Sequence, residues 1–147
     1  METVTASVSG ALGLVATAVL ASAALVHLYW GLGGRLGKAL AIPRRAGGGG
    51  PAMRPRPVGT LAVAAALAIA ALLVAARIGL VDSPMPVWLL RAACAVLALV
   101  FLARAIGERR YVGFFKRVKG TRFARLDTMV YAPLCLFMAV ALGINAV

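Results

Sequence analysis

The chain has 147 residues, of which 63% are hydrophobic and 14% are charged, and its mean hydropathy is +0.95. Soluble domains are about 45–50% apolar and about 25% charged, so this composition excludes an ordinary soluble domain. The net charge of +12 is also found in nucleic-acid-binding proteins. Nearly all the basic residues, however, flank apolar runs long enough to cross a bilayer, which is typical of topology signals and headgroup contacts. The sequence therefore predicts an integral membrane protein with no nucleic-acid partner.

Four apolar runs predict four membrane-spanning helices, because about 20 apolar residues cross a bilayer. The runs cover residues 10–30, 58–80, 87–106 and 128–146. The first is predicted to remain as an uncleaved helix, since its basic residues follow the apolar run, whereas a signal peptide carries them in front. Pro133 is predicted to kink the fourth helix. The predicted fold class is an all-α membrane protein, a four-transmembrane-helix bundle forming a single domain.

The basic residues predict the orientation of the bundle. Six of them lie in residues 35–57, a Gly- and Pro-rich stretch that predicts a flexible loop, and eight lie between Arg104 and Arg125. The turn between the second and third spans has none. Four spans place both basic segments on one side, which the positive-inside rule assigns to the cytoplasm. We therefore expect a multi-pass protein of the plasma (inner) membrane with both termini outside.

The segment 107–127 combines aromatic and basic residues. Tyr111, Phe114, Phe115 and Val118 follow a helical i, i+3, i+4, i+7 spacing. This pattern predicts a short amphipathic helix in the headgroup plane, with its rings toward the acyl chains. The cations expected to contact anionic headgroups are Arg109, Arg110, Lys116, Arg117 and Lys119.

Several polar residues are expected at a similar depth near the cytoplasmic surface. They could form a cluster that joins the first, third and fourth spans, and they are His27, Arg104, Glu108, Asp127 and Tyr131. Arg104 and Glu108 are one helical turn apart and could pair, and Asp127 could instead cap the fourth helix. A structural role is favoured over a ligand site, because polar groups inside membranes usually satisfy one another.

Cysteine and histidine usage bounds the cofactor chemistry. The chain has one histidine and two cysteines, Cys94 and Cys135, too few for the familiar zinc or bis-histidine haem ligand sets. Both cysteines lie in apolar segments, where they are expected to be packing residues, with a disulfide as the alternative. No metal, no cofactor and no catalytic residue is predicted.

Three strings of residues resemble a known family. They are HLYWGLGGRLG after the first span, LLRA in the third, and RAIGERRYVGFFKRVKGTRFARLDTMVYAPLCL from the third span into the fourth. Together they resemble the bacterial membrane family known as domain of unknown function 3995. The resemblance implies a four-helix membrane protein and carries no assigned activity or catalytic residues. The Gly/Pro/Arg-rich stretch around residues 47–57 is not expected to belong to a family site.

Three hypotheses about function follow from these patterns. The first is a non-enzymatic scaffold or accessory subunit, with another membrane protein or a second copy of the chain as its partner. The second is a binder of an anionic lipid or amphipathic small molecule at the cytoplasmic leaflet. The third is an enzyme or proton-coupled transporter that uses His27 with Glu108 or Asp127, supported only by their expected proximity. The sequence favours the first, with the second as the alternative.

Overall fold

The protein is all-helical over the residues that its structure, a computed structural model, describes, which are 2–47 and 50–147. Residues 48 and 49 of the predicted flexible loop lie outside this part. The helices are α1 (Glu2–Gly31), α2 (Lys38–Ala41), α3 (Pro57–Arg77), α4 (Val87–Ile106), α5 (Arg122–Leu126) and α6 (Ala132–Asn145). A π-helical turn, Asp127–Tyr131, joins α5 to α6, so that these three elements form one continuous helix.

The prediction of four helices able to cross a membrane is confirmed by length and composition. These helices are Ser7–Gly31, Pro57–Arg77, Val87–Ile106 and Arg122–Asn145. The fourth begins at Arg122, earlier than the predicted residue 128, because Thr121 caps it. The Thr121 hydroxyl accepts a hydrogen bond of 3.0 Å from the Ala124 amide. This cap satisfies an amide of the first turn that has no partner within the helix.

The fourth spanning helix departs from regular α geometry at the π-helical turn. The Ala132 amide donates to the Asp127 carbonyl, five residues back instead of four. Pro133 follows in the first turn of α6. A proline lacks an N–H group and its ring collides with the carbonyl four residues earlier, so a regular α-helix is disfavoured at this point. The predicted disturbance at Pro133 therefore coincides with a wide turn that starts at Asp127.

The spanning helices pack as two hairpins. The helices α1 and α3 form one, α4 and α6 form the other, and the hairpins meet through contacts of α1 with α6 and of α3 with α4. Small side chains dominate the core and let the helices approach closely. The buried core residues are Ala16, Leu20, Ala70, Ala71, Val74, Cys94, Met138, Ala141 and Leu142. Cys94 is thus a packing residue, and both cysteines are free thiols.

Both basic segments lie at one end of the bundle, which we call the loop end. It contains residues 32–47, 50–56 and 107–121, and α2 packs against α5 there. The first segment folds back on α1, since the Trp30 indole N–H donates to the Leu36 carbonyl at 2.8 Å. The first part of α1 and the end of α6 meet at the opposite end, where the Asn145 side-chain amide donates to the Ser9 carbonyl at 3.1 Å. All cations of the two basic segments are therefore displayed on the same side of the helices.

The predicted interfacial helix between the third and fourth spans is wrong for residues 107–121, which form a compact irregular loop. Gly107 ends α4 with φ 80, and Gly113 has φ 84. The two backbones pack directly on each other, so that a Cβ at Gly113 would collide with the Ile106 carbonyl and Gly107 Cα. The aromatic residues have the spacing of a helix, but Gly107 and Gly113 require a positive φ and leave no room for a side chain. A helix therefore does not form here.

Candidate functional site

The centre of the loop end is the carboxylate of Asp127, the first residue of the π-helical turn. Its side chain is fully buried. One oxygen, Oδ1, accepts from Arg104 Nη2 at 2.8 Å. The other, Oδ2, accepts from the Gly113 amide at 2.7 Å and from Lys116 Nζ at 3.0 Å. These four residues, which we call the Asp127 cluster, connect the end of α4, the loop and the fourth spanning helix.

Lys116 is bound by three acceptors. Besides Asp127, its ammonium donates to the Gly113 carbonyl at 3.0 Å and to the Thr128 hydroxyl at 2.6 Å. The Thr128 hydroxyl in turn donates to the Ala124 carbonyl at 3.1 Å. An ammonium has three donors, so all the donors of Lys116 are used within the protein. The side chain is only 3% exposed, which a charged amine tolerates because it is paired with a carboxylate.

The Asp127 cluster contains two cations and one carboxylate, and so carries one positive charge in excess. Arg104 extends from the cluster toward the surface, with its side chain 34% exposed. Within the described residues, its Nη1 atom is buried and has no hydrogen-bond partner. A buried N–H of a charged group that has no hydrogen-bond acceptor costs free energy. The excess positive charge of the cluster also attracts an anion to this end of the bundle.

Of the five residues predicted to form a polar cluster, the structure joins Arg104 to Asp127. His27 instead bonds within its own helix, where Nδ1 lies 2.8 Å from the Ala23 carbonyl oxygen. The imidazole also packs edge-on against Trp30, with ring centroids 5.3 Å apart. In the described part of the chain no hydrogen bond or ion pair links His27 to Asp127. His27 is therefore not part of the hydrogen-bonded group around Asp127.

Glu108 and Tyr131 also lie outside the Asp127 cluster. Because Gly107 ends α4, Glu108 is no longer one helical turn from Arg104, and its Oε1 accepts from the Tyr111 amide at 3.2 Å. The ring of Tyr131 packs against Phe123 with centroids 6.1 Å apart. Both residues therefore support the local structure around the cluster without contributing charge to it.

Among the five predicted headgroup-contacting cations, Lys116 differs from the prediction because its ammonium is buried on Asp127. The other four side chains are exposed, namely Arg109, Arg110, Arg117 and Lys119. The sequence does contain a signal for such a buried partner, since Asp127 is the only acidic residue after Glu108. A carboxylate inside an apolar helix needs a cation. Which of the eight nearby basic residues supplies it depends on the path of the loop.

A cavity of about 410 Å³ opens beside the Asp127 cluster, between the loop and the start of the fourth spanning helix. We call it the basic cavity. Its charged lining residues are Lys116, Lys119 and Arg125. Thr121 and Thr128 contribute hydroxyl groups, and Phe114 and Met129 contribute apolar surface. No acidic side chain lines it, so its chemistry suits an anion with an apolar part. No group of three or more potential metal ligands occurs among the described residues.

We predict that Asp127→Asn destabilises the protein by about 3–5 kcal/mol, because it leaves Lys116 and Arg104 with uncompensated charge in a buried site. The free energy of unfolding can be measured in mild detergent micelles titrated with sodium dodecyl sulfate. Glu108→Gln is the matched control, since it removes a carboxylate from the same loop at an exposed position. Equal stability of the two variants would contradict the assignment, whereas adding Lys116→Met to Asp127→Asn should recover part of the loss.

Comparison with known proteins places the chain in a family. The family described as protein of unknown function DUF3995 matches residues 20–142, which include the last part of α1, the whole loop end and most of α6. Searches of curated proteins and of solved structures found no match. The match includes the second and third spanning helices whole, parts of the first and fourth, and every residue of the Asp127 cluster. The chain belongs to the DUF3995 family.

Proposed function

We propose that this protein binds an anionic lipid in the basic cavity, at the cytoplasmic leaflet of the plasma membrane. The orientation follows from charge, since both basic segments lie at the loop end and the turn at the other end has no basic residue. In this orientation both termini are outside.

Alkaline phosphatase fused after Val147 should therefore be active in cells, and a fluorescent protein fused to the loop at Gly50 should be bright. The opposite pattern would overturn the orientation.

The observation that carries the proposal is the presence of two unpaired cations at the basic cavity. Lys119 and Arg125 are exposed, and their side chains make no hydrogen bond or ion pair within the described residues. The charge of Lys116 is already balanced by Asp127. Lys119 and Arg125 are therefore free to bind an anion, and each basic residue near a membrane surface contributes about 1 kcal/mol to anionic lipid binding.

The apolar side of the basic cavity favours a lipid over a purely hydrophilic anion. Phe114 is 43% exposed and Met129 is 70% exposed. Met129 lies within the fourth spanning helix, so its side chain is continuous with the surface expected to face acyl chains. A headgroup between Lys119 and Arg125 would thus have its acyl chains beside apolar side chains.

We predict that replacing both Lys119 and Arg125 with Gln weakens phosphatidylglycerol binding roughly 30-fold, because each charge contributes about 1 kcal/mol to the binding free energy. Native mass spectrometry of the protein in detergent micelles, titrated with the lipid, measures the bound fraction. The control is the double variant Arg110→Gln and Arg117→Gln, which removes the same charge from exposed positions of the same loop outside the cavity. Equal losses in both double variants would show attraction to net charge alone and contradict a site.

A second function, an accessory subunit of a membrane assembly, is supported by one exposed face of α3. Ala62, Ala65, Ala66 and Ile69 recur at i, i+3, i+4 and i+7 and lie outside the bundle contacts. Small residues in this spacing allow a partner helix to approach closely in a bilayer. The proposed partner is a transmembrane helix of another protein or of a second copy of the chain.

We predict that Ala65→Leu combined with Ala66→Leu abolishes association with that partner and leaves lipid binding unchanged, because the larger side chains hold the helices apart. Cross-linking in native membranes followed by mass determination measures the association. Ala92→Leu, an exposed alanine on α4, serves as the control. If the wild-type protein forms no cross-linked species, or if the Ala92 variant loses them equally, the accessory role is contradicted.

A further inference from the structure

The donors left free in the basic cavity restrict the kind of anion that it can bind. All three donors of Lys116 are used, and the Thr128 hydroxyl both accepts from Lys116 and donates to Ala124. The Thr121 hydroxyl accepts from the Ala124 amide and keeps its own proton free. The side-chain donors available to a ligand are therefore the Arg125 guanidinium, the Lys119 ammonium and the Thr121 hydroxyl.

We infer that the ligand of the basic cavity carries a terminal phosphomonoester, as in a phosphatidic-acid-type lipid. This inference rests on the proposed lipid binding and specifies the headgroup. The free cations contribute two positive charges, and the Asp127 cluster behind them adds one in excess. A phosphomonoester carries about −1.5 to −2 charges at pH 7, whereas a phosphodiester carries one. The monoester thus matches the charge of the site more closely.

The hydrogen-bonding capacity of the donors agrees with the charge. The planar guanidinium of Arg125 can bind two oxygens of one phosphate group side by side, and Lys119 can act as a point charge on the third. A monoester has three terminal oxygens for these donors, and a diester has two that carry its charge. In a diester lipid, the larger headgroup attached to the phosphate would also have to fit into the space between the loop and the helix.

The lining of the basic cavity disfavours zwitterionic headgroups. An ethanolamine headgroup brings an ammonium group, which needs a carboxylate or similar acceptor. None of the lining residues is acidic. Both oxygens of Asp127, the carboxylate that binds the lining residue Lys116, already accept hydrogen bonds from the protein. An ammonium group placed in the cavity would therefore meet three cations and no carboxylate.

The test is a competition in detergent micelles between phosphatidic acid, phosphatidylglycerol and phosphatidylethanolamine with identical acyl chains, each at the same concentration. Native mass spectrometry identifies which lipid the intact protein retains. We expect about fivefold more bound phosphatidic acid than phosphatidylglycerol, the ratio that one additional charge contributes, and little phosphatidylethanolamine. Equal retention of the two anionic lipids would overturn the monoester assignment and leave anionic lipid binding standing. Equal retention of all three would overturn both.

Two further measurements separate the headgroup from its surroundings. Arg125→Gln should reduce the preference for phosphatidic acid over phosphatidylglycerol to near one, while Arg117→Gln, outside the cavity, should preserve it; loss of the preference in both would overturn the assignment. Glycerol 3-phosphate has the same phosphate group without acyl chains, and it should displace phosphatidic acid only at more than about 100-fold higher concentration. Displacement at equal concentration would show that the site takes a soluble phosphomonoester and would overturn the lipid source.

Discussion

The buried carboxylate of Asp127 is the interaction on which the loop end depends. It binds a guanidinium from α4, an ammonium and a backbone amide from the loop, and it belongs to the helix that follows. Backbone hydrogen bonds add to this, among them the bond of 2.9 Å from the Phe114 amide to the Ala105 carbonyl. A buried charge is stable only when it is fully paired, so the loop is held where Gly113 and Lys116 reach the carboxylate.

This arrangement divides the basic residues into two groups with different physical roles. Arg104 and Lys116 are bound to Asp127 and hold the structure together. Within the described residues, Lys119 and Arg125 have no hydrogen-bond or ion-pair partner, and both line the basic cavity. Two unpaired cations therefore share one cavity that has no acidic lining residue. This pairing is the reason for proposing an anionic ligand.

The bundle beneath the loop end is built for close helix contact. Its core contains four alanines and Cys94 together with Leu20, Val74, Met138 and Leu142. In a bilayer the surrounding lipid is as apolar as the side chains, so contact between helices depends on packing and on a few polar links. The Asp127 cluster supplies such links within the hairpin of α4 and α6, at the loop end. Asn145 links the two hairpins at the other end by donating to Ser9 on α1. At the loop end the two hairpins meet where α2 packs against α5.

Composition and apolar runs alone determined the membrane character and the four spanning helices, because spanning a bilayer requires about 20 apolar residues whatever their order. The positions of the basic residues determined which segments between the helices are basic. The pairing of Arg104 with Asp127 was also within reach, since a buried acid needs a cation. The conformation of the loop could not be predicted, because the spacing of its aromatic residues matches a helix. The backbones of Gly107 and Gly113 are in close contact, and no periodicity in the sequence reveals this contact. Only the tertiary structure decided that Lys116 is buried and Lys119 is free, since the two lie three residues apart in the sequence and differ only in their distance from one carboxylate.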